Sequence, residues 1–157
     1  MVKLDRIDIS LLNALQKDAS ESLTAISERI GLSQNAVWRR VKILEEAGII
    51  IGRTAQLNPD KLGLKLTVFV AVKTNQHTGD WLETFAKGVK LLPEVVGFYR
   101  MSGDIDYLLK VIVADMEGYD RVYKKLIAIA PLADVSSSFA MERLKDTTQL
   151  PLPIDMF

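Results

Sequence analysis

A chain of 157 residues makes one medium domain or two small ones, and 48% hydrophobic with 25% charged residues is the balance of a folded protein. It contains no cysteine, which excludes disulfides, Cys-ligated zinc, iron–sulfur clusters and thiol nucleophiles together. Its 20 basic and 20 acidic residues cancel, so any affinity for nucleic acid must come from a local concentration of charge.

No run of about 18 apolar residues offers a membrane-spanning helix. The opening Met1-Val2-Lys3-Leu4-Asp5 lacks the basic-then-apolar layout of a signal peptide. Both features predict a cytoplasmic chain.

The first half reads as helices. Leu4, Ile7, Leu11, Leu12 and Leu15 recur at helical intervals, with Asp5 and Asp8 in the first turn, where the helix dipole favours negative charge. A second helix is predicted from about Leu23 to Ile30, capped by Ser22 and broken by Gly31. A third is capped by Ser33 and runs to about Ala47, with Gly48 at its left-handed exit. Ile49 to Leu57 is short, apolar and β-branched, and it predicts a strand, one side of a two-stranded ribbon. Asn58-Pro59-Asp60 is a turn signal that marks a boundary between domains.

The second half changes period. Leu66–Thr74, Val95–Met101, Ile105–Ala114 and Val135–Leu144 read as strands. Trp81, Leu82, Phe85 and Val89 mark one helix, ended by Pro93. Met116, Tyr119, Val122, Tyr123, Leu126 and Ile127 mark another, ended by Pro131. The order βαββαβ is the ferredoxin-like arrangement. The predicted fold class is therefore α+β: an N-terminal winged-helix-like helix-turn-helix domain (1–50), a strand-forming linker (51–63), a ferredoxin-like βαββαβ domain (64–146) and a tail (147–157). The tail, Leu150-Pro151-Leu152-Pro153-Ile154, is apolar and extended, suited to docking on the body or on a partner. In the first strand Val68, Val70 and Val72 alternate with Thr67, Phe69 and Ala71, so both sheet faces are apolar. Helices cover one face, and a second copy of the chain is the expected cover for the other.

The segment Leu23 to Val41 carries the clearest chemistry. Helix, Gly31-Leu32-Ser33 turn and second helix, with small Ala25 at the crossing, form a helix-turn-helix. In its second helix Val37, Val41 and Leu44 face inward, while Asn35, Trp38, Arg39 and Lys42 face out. Ser33 to Leu44 holds Arg39, Arg40 and Lys42 and no acid. Gln34 and Asn35 are suited to adenine, Arg39 to guanine, and Trp38 to a thymine methyl or the sugar-phosphate backbone. Arg53 is placed to touch phosphate. Arg40 falls beside the core stripe and reads as a structural ion-pair partner. The DNA-binding candidates are Ser33, Gln34, Asn35, Trp38, Arg39, Lys42 and Arg53.

Between the central strands stands Met101-Ser102-Gly103-Asp104-Ile105-Asp106-Tyr107. Two readings stand for it. Ser-Gly-Asp is ordinary hairpin chemistry. Carboxylates for an ammonium, with hydroxyl and amide donors for a carboxylate, also suit a free amino acid. There is no glycine-rich phosphate loop, no metal-ligand cluster and no Ser-His pair in sequence context, so no catalytic residue, metal or cofactor is assigned.

Both halves together resemble the Lrp/AsnC, or feast/famine, family of bacterial and archaeal regulators. The resemblance is carried by Leu4 to Asp18, Gly31-Leu32-Ser33, Arg40 to Ile50, Ser102 to Lys110, Met141 to Lys145, Thr147-Thr148 and Leu150-Pro151-Leu152. It implies a helix-turn-helix joined to a ligand-responsive βαββαβ (RAM) domain, dimers assembling into octamers, and amino-acid effectors bound between subunits. On that basis Met101, Ser102, Gly103, Asp104, Asp106 and Tyr107 become effector-site candidates. Ser137 and Met141 on the last strand are added from the expected geometry. The family often has proline where Gln34, Asn35 and Ala36 stand, and Arg where Ile43 stands, so DNA preference is expected to differ. Gln76-His77, Trp81, Phe85 and Pro93 to Phe98 resemble a subgroup linked to catabolism of cysteine and other amino acids. There His77 is either a surface residue at a strand end or an effector contact. The rival functions are an architectural DNA compactor and an enzyme similar to the sirohaem decarboxylases. The enzyme needs a charged His and Arg pocket, and this chain has one histidine.

Overall fold

The computed structural model describes residues 3–152. Met1 and Val2 of the opening, and Pro153 and Ile154 of the apolar tail, lie outside the described residues. The chain divides into two compact units, residues 1–56 with 145–157, and residues 57–144.

Three helices build the first unit: α1 (Arg6–Lys17), α2 (Leu23–Ile30) and α3 (Gln34–Glu46). Each begins at a polar cap. Asp5 and Asp8 form a reciprocal capping box at α1, each carboxylate accepting from the other's backbone N–H at 2.8 and 3.0 Å. Ser22 and Ser33 accept from the amides of Ala25 and Ala36 and start α2 and α3. Gly31 ends α2 with φ 75°, a left-handed turn that a residue with a Cβ adopts only at a cost. The apolar stripes of the three helices meet in one core of Leu11, Leu12, Ile26, Val37, Val41 and Leu44. Each fully buried side chain of this size contributes roughly 1.5–3 kcal/mol.

The tail belongs to this unit. Asn13 donates to the Leu152 carbonyl at 3.0 Å. The Gln16 amide donates to the Leu150 carbonyl and accepts the Leu150 N–H, at 2.8 and 2.9 Å. Leu152 packs on the helical core.

In the second unit a four-stranded antiparallel sheet is formed by β1 (Leu66–Lys73), β2 (Val95–Arg100), β3 (Tyr107–Val113) and β4 (Asp134–Phe139), in the order β2-β3-β1-β4. Helices α4 (Gly79–Lys90) and α5 (Met116–Ile129) are the two crossovers. This is the expected βαββαβ topology. Val68, Val70 and Val72 of β1 and Leu109, Val111 and Val113 of β3 point to the helices and are buried with Phe85, Val89, Val122 and Leu126. Gly88 allows close helix contact, since a methyl group there would overlap the Ile129 side chain.

Two expectations are corrected. Ile49 to Leu57 is not a strand: no ladder forms there, and Ile51 is almost wholly exposed. A strand needs a partner for its N–H and C=O groups, and apolar β-branched composition does not supply one within the chain. The last strand ends at Phe139 and does not reach Leu144, because it has β1 alone to pair with, and β1 begins at Leu66. Ala140 still donates to the Thr67 carbonyl, and the backbone then leaves the sheet.

Among the described residues no helix is long and apolar enough to cross a membrane, and no group of three or more His, Cys, Asp or Glu could hold a metal ion.

Candidate nucleic-acid interface and effector loop

The sequence of α3 alternates sealed and presented residues. Val37, Val41 and Leu44 are fixed in the core, which sets the helix's rotation. Asn35, Trp38 and Arg39 are therefore turned outward, and Trp38 is 51% exposed. The other half of the indole borders a cleft that it shares with Leu15, Leu23 and Val41.

The other candidates for DNA contact have partners already. The Ser33 hydroxyl is committed to the cap of α3. Gln34 donates to the Thr24 hydroxyl at 2.8 Å and so ties α3 to α2. Lys42 and Arg53 meet on one carboxylate, Glu45, at 2.8 and 2.9 Å. Glu45 is held below its ordinary value first by the Lys42 hydrogen bond, and further by the charges of Lys42 and Arg53. It was not apparent as part of this face from the sequence. Its signal was spacing, since Asn35, Trp38, Lys42 and Glu45 follow one another at three- and four-residue steps.

Arg40 has the structural role expected of it. Its guanidinium donates to Asp8 at 2.6 Å and to Asp5 at 2.9 Å. These contacts raise its pKa, the Asp8 hydrogen bond most. The two carboxylates that cap α1 thus also orient α3.

In the second unit the Met101–Asp106 loop closes with Met101 N–H on the Asp106 carbonyl at 2.8 Å. Met101, Ser102, Gly103 and Asp104 are exposed, and Gly103 has φ 122°, which favours glycine. Asp106 does not project from the loop. Its carboxylate accepts from Thr74 N–H at 2.8 Å and its N–H donates to Val72, so it staples the loop to the end of β1. The Tyr107 ring is buried against Trp81, Phe85 and Phe98, with centroids 5.8, 5.5 and 5.7 Å away. It lies on the helix side of the sheet because strand alternation puts it in register with Leu109 and Val111. Within one chain this effector-site candidate is thus a core residue at the start of β3. Ser137 also lies toward the helices: its hydroxyl is hydrogen-bonded to Tyr119, whose phenol burial pushes upward in pKa. Within one chain, then, the exposed loop and the side chains of Tyr107 and Ser137 do not converge. Met141 is 98% exposed, past the end of β4. His77 is exposed in the connection from β1 to α4.

A helix-turn-helix unit followed by an α+β unit with a small polar loop defines a two-domain DNA-binding regulator. Comparison with known proteins makes this specific. A winged helix-turn-helix DNA-binding model matches residues 4–51, and the Lrp/AsnC ligand binding domain matches residues 67–150. Over 151 residues the chain is 51% identical to the glutamate uptake regulatory protein of Zymomonas mobilis, covering 96% of this chain and 92% of that one. It is 50% identical over 150 residues to the DNA-binding transcriptional activator DecR of Escherichia coli K12, covering 95% and 99%. The crystal structure of an AsnC family transcriptional regulator from Agrobacterium tumefaciens is similar at TM-score 0.92 and 48% identity, covering 95% and 97%. A transcriptional regulator of Neisseria meningitidis in complex with L-Met is similar at TM-score 0.90 and 36% identity, covering 96% and 97%. The chain belongs to the Lrp/AsnC family of transcriptional regulators.

Proposed function

We propose that this chain is a cytoplasmic, sequence-specific regulator of amino-acid metabolism that binds DNA through α3 and responds to a small amino acid held between copies of the chain. The observation that carries the first part is the presentation of Asn35, Trp38 and Arg39 on a helix whose opposite side is sealed in the core. Recognition helices read base edges from residues near their start. Asn35 and Arg39 supply the donors and acceptors for adenine and guanine, and Trp38 supplies an apolar plane. Lys42 and Arg53 serve phosphate and set register.

The second part rests on the loop and the sheet. Relatives include a structure with L-Met bound, and the chain carries the ligand-binding domain. An amino acid needs an anion for its ammonium and donors for its carboxylate. Asp104 supplies the first, and the Ser102 hydroxyl with the loop amides supplies the second. One chain leaves this loop exposed, so a second copy completes the site. The face of the sheet away from the helices is apolar enough for that copy: Phe69, Tyr99, Leu108 and Ile112 lie on it in register. An effector that binds one assembly better than another shifts their populations, and with them promoter occupancy.

Two variants test the division of labour. Arg39→Ala is expected to weaken operator binding by about 1–3 kcal/mol. Asp104→Ala is expected to keep operator binding and lose the response to the amino acid. Operator affinity unchanged in the first, or a response retained in the second, contradicts the respective assignment. Sedimentation of the same preparations should show dimers or larger assemblies, and a monomer would contradict the shared site.

A further inference from the structure

We infer that Glu45 is an internal phosphate mimic, a brake that holds Lys42 and Arg53 away from DNA and so lowers sequence-independent binding. This deepens the proposed reading of α3 as the DNA-contacting helix and rests on it. Each oxygen of the carboxylate takes one cation: Lys42 sits on Oε2 at 2.8 Å and Arg53 on Oε1 at 2.9 Å. A phosphate diester presents the same charge through the same kind of oxygen pair, so carboxylate and DNA backbone compete for both cations. Glu45 also lies on the presented stripe, one helical step beyond Lys42 and two beyond Trp38. With these residues, and with Glu21 and Leu23, it lines a cleft of about 300 Å³ at the edge of the face.

The helix dipole does not favour an acid at this position. Glu45 is in the last turn of α3, where the helix dipole disfavours negative charge and favours cations. No basic residue stands in that turn. What the carboxylate gains there is the pair of cations, and the Lys42 hydrogen bond with both positive charges holds it below the usual carboxylate range. Two basic side chains that would otherwise hold any duplex are thus neutralised in the free protein. A duplex must displace Glu45 to use them. Contacts from Asn35, Trp38 and Arg39 to the right bases help offset that displacement, and a wrong sequence lacks them.

The test compares the full chain with Glu45→Gln and with Glu45→Ala, which keeps a good helix former at the position. Binding to an operator duplex and to a scrambled duplex is titrated over a range of salt, with thermal melts confirming that each variant is folded. Removing the carboxylate is expected to tighten binding to scrambled DNA by about two- to fivefold at low salt, and to steepen the dependence of log K on log salt by about one to two. Scrambled-DNA affinity that is unchanged overturns the brake. Affinity that falls also overturns it, because Glu45 would then be positioning Lys42 and Arg53 for phosphate. Arg39→Ala is run beside them: if it weakens operator binding while the Glu45 variants change nothing, the brake alone fails. If it too has no effect, the reading of α3 fails with it.

Discussion

At the residue scale the molecule depends on a few side chains that do two jobs. Asp8 caps α1 and also receives Arg40 from α3, with only 11% of its side chain exposed. Removing Arg40 leaves a nearly buried carboxylate without its cation. Arg40→Ala is therefore expected to destabilise the N-terminal unit by about 1–3 kcal/mol in chemical denaturation. A change below a few tenths would show that the pair adds nothing. Asp5 adds a pH dependence of known sign. The Asp8 backbone hydrogen bond, and then Arg40, hold its carboxyl below the ordinary 3.8. A depressed folded value means that the stabilisation is complete above the unfolded value and is lost as pH falls through the folded one. The melting temperature should fall on acidification below roughly pH 4, and less steeply in Asp5→Asn.

Much of this residue-level pattern was legible. Ser22, Ser33, Gly31 and Gly48 announce the helix ends because capping is local, and Arg40 was separable from the DNA face by its place beside the core stripe. Tyr107, Asp106 and Glu45 were not legible in the same way. Tyr107 adjoins the loop in sequence, yet strand alternation decides which face its ring takes. The Asp106 partner, Thr74, is 32 residues away. The role of Glu45 depends on where the linker brings Arg53. Non-local partners leave no mark on a local pattern.

At the element scale the same distinction separates the strands that were correctly read from the one that was not. β1 to β4 have partners within the chain, so propensity and pairing agree. Ile49 to Leu57 has the composition and no partner: Ile49 and Ile50 turn back to donate to the Leu44 carbonyl, and no ladder follows. The tail is the opposite case. Its described residues, 147–152, have no regular structure, and side chains of α1 meet the polar backbone at Leu150 and Leu152. The Gln16 amide pairs with Leu150 through both donor and acceptor, as a neighbouring strand would. Gln16→Ala should speed hydrogen exchange at the Leu150 amide while leaving exchange within β1 and β3 unaltered. Unchanged exchange at Leu150 would mean that the strap is not held by Gln16.

At the scale of the whole molecule, the chain passes twice between its units, once near residue 56 and again near residue 144. The α+β unit thus has two covalent connections to the helix-turn-helix unit, and the second ends on α1. The sheet buries one face under α4 and α5; the other carries Phe69, Tyr99, Leu108 and Ile112 with Lys110, Ser136 and Ser138, and those apolar residues are the reason for proposing a second copy. The loop at Gly103 presents amino-acid chemistry in the same unit. The central claim is that these parts form one effector-responsive DNA switch. Its most direct test is binding of the intact protein to its own upstream DNA and to a scrambled duplex, with and without each of the twenty amino acids. The account predicts preference for the upstream DNA, altered by one or a few amino acids. Equal binding to both duplexes, unmoved by any amino acid, would contradict it and leave an architectural DNA-binding protein in its place.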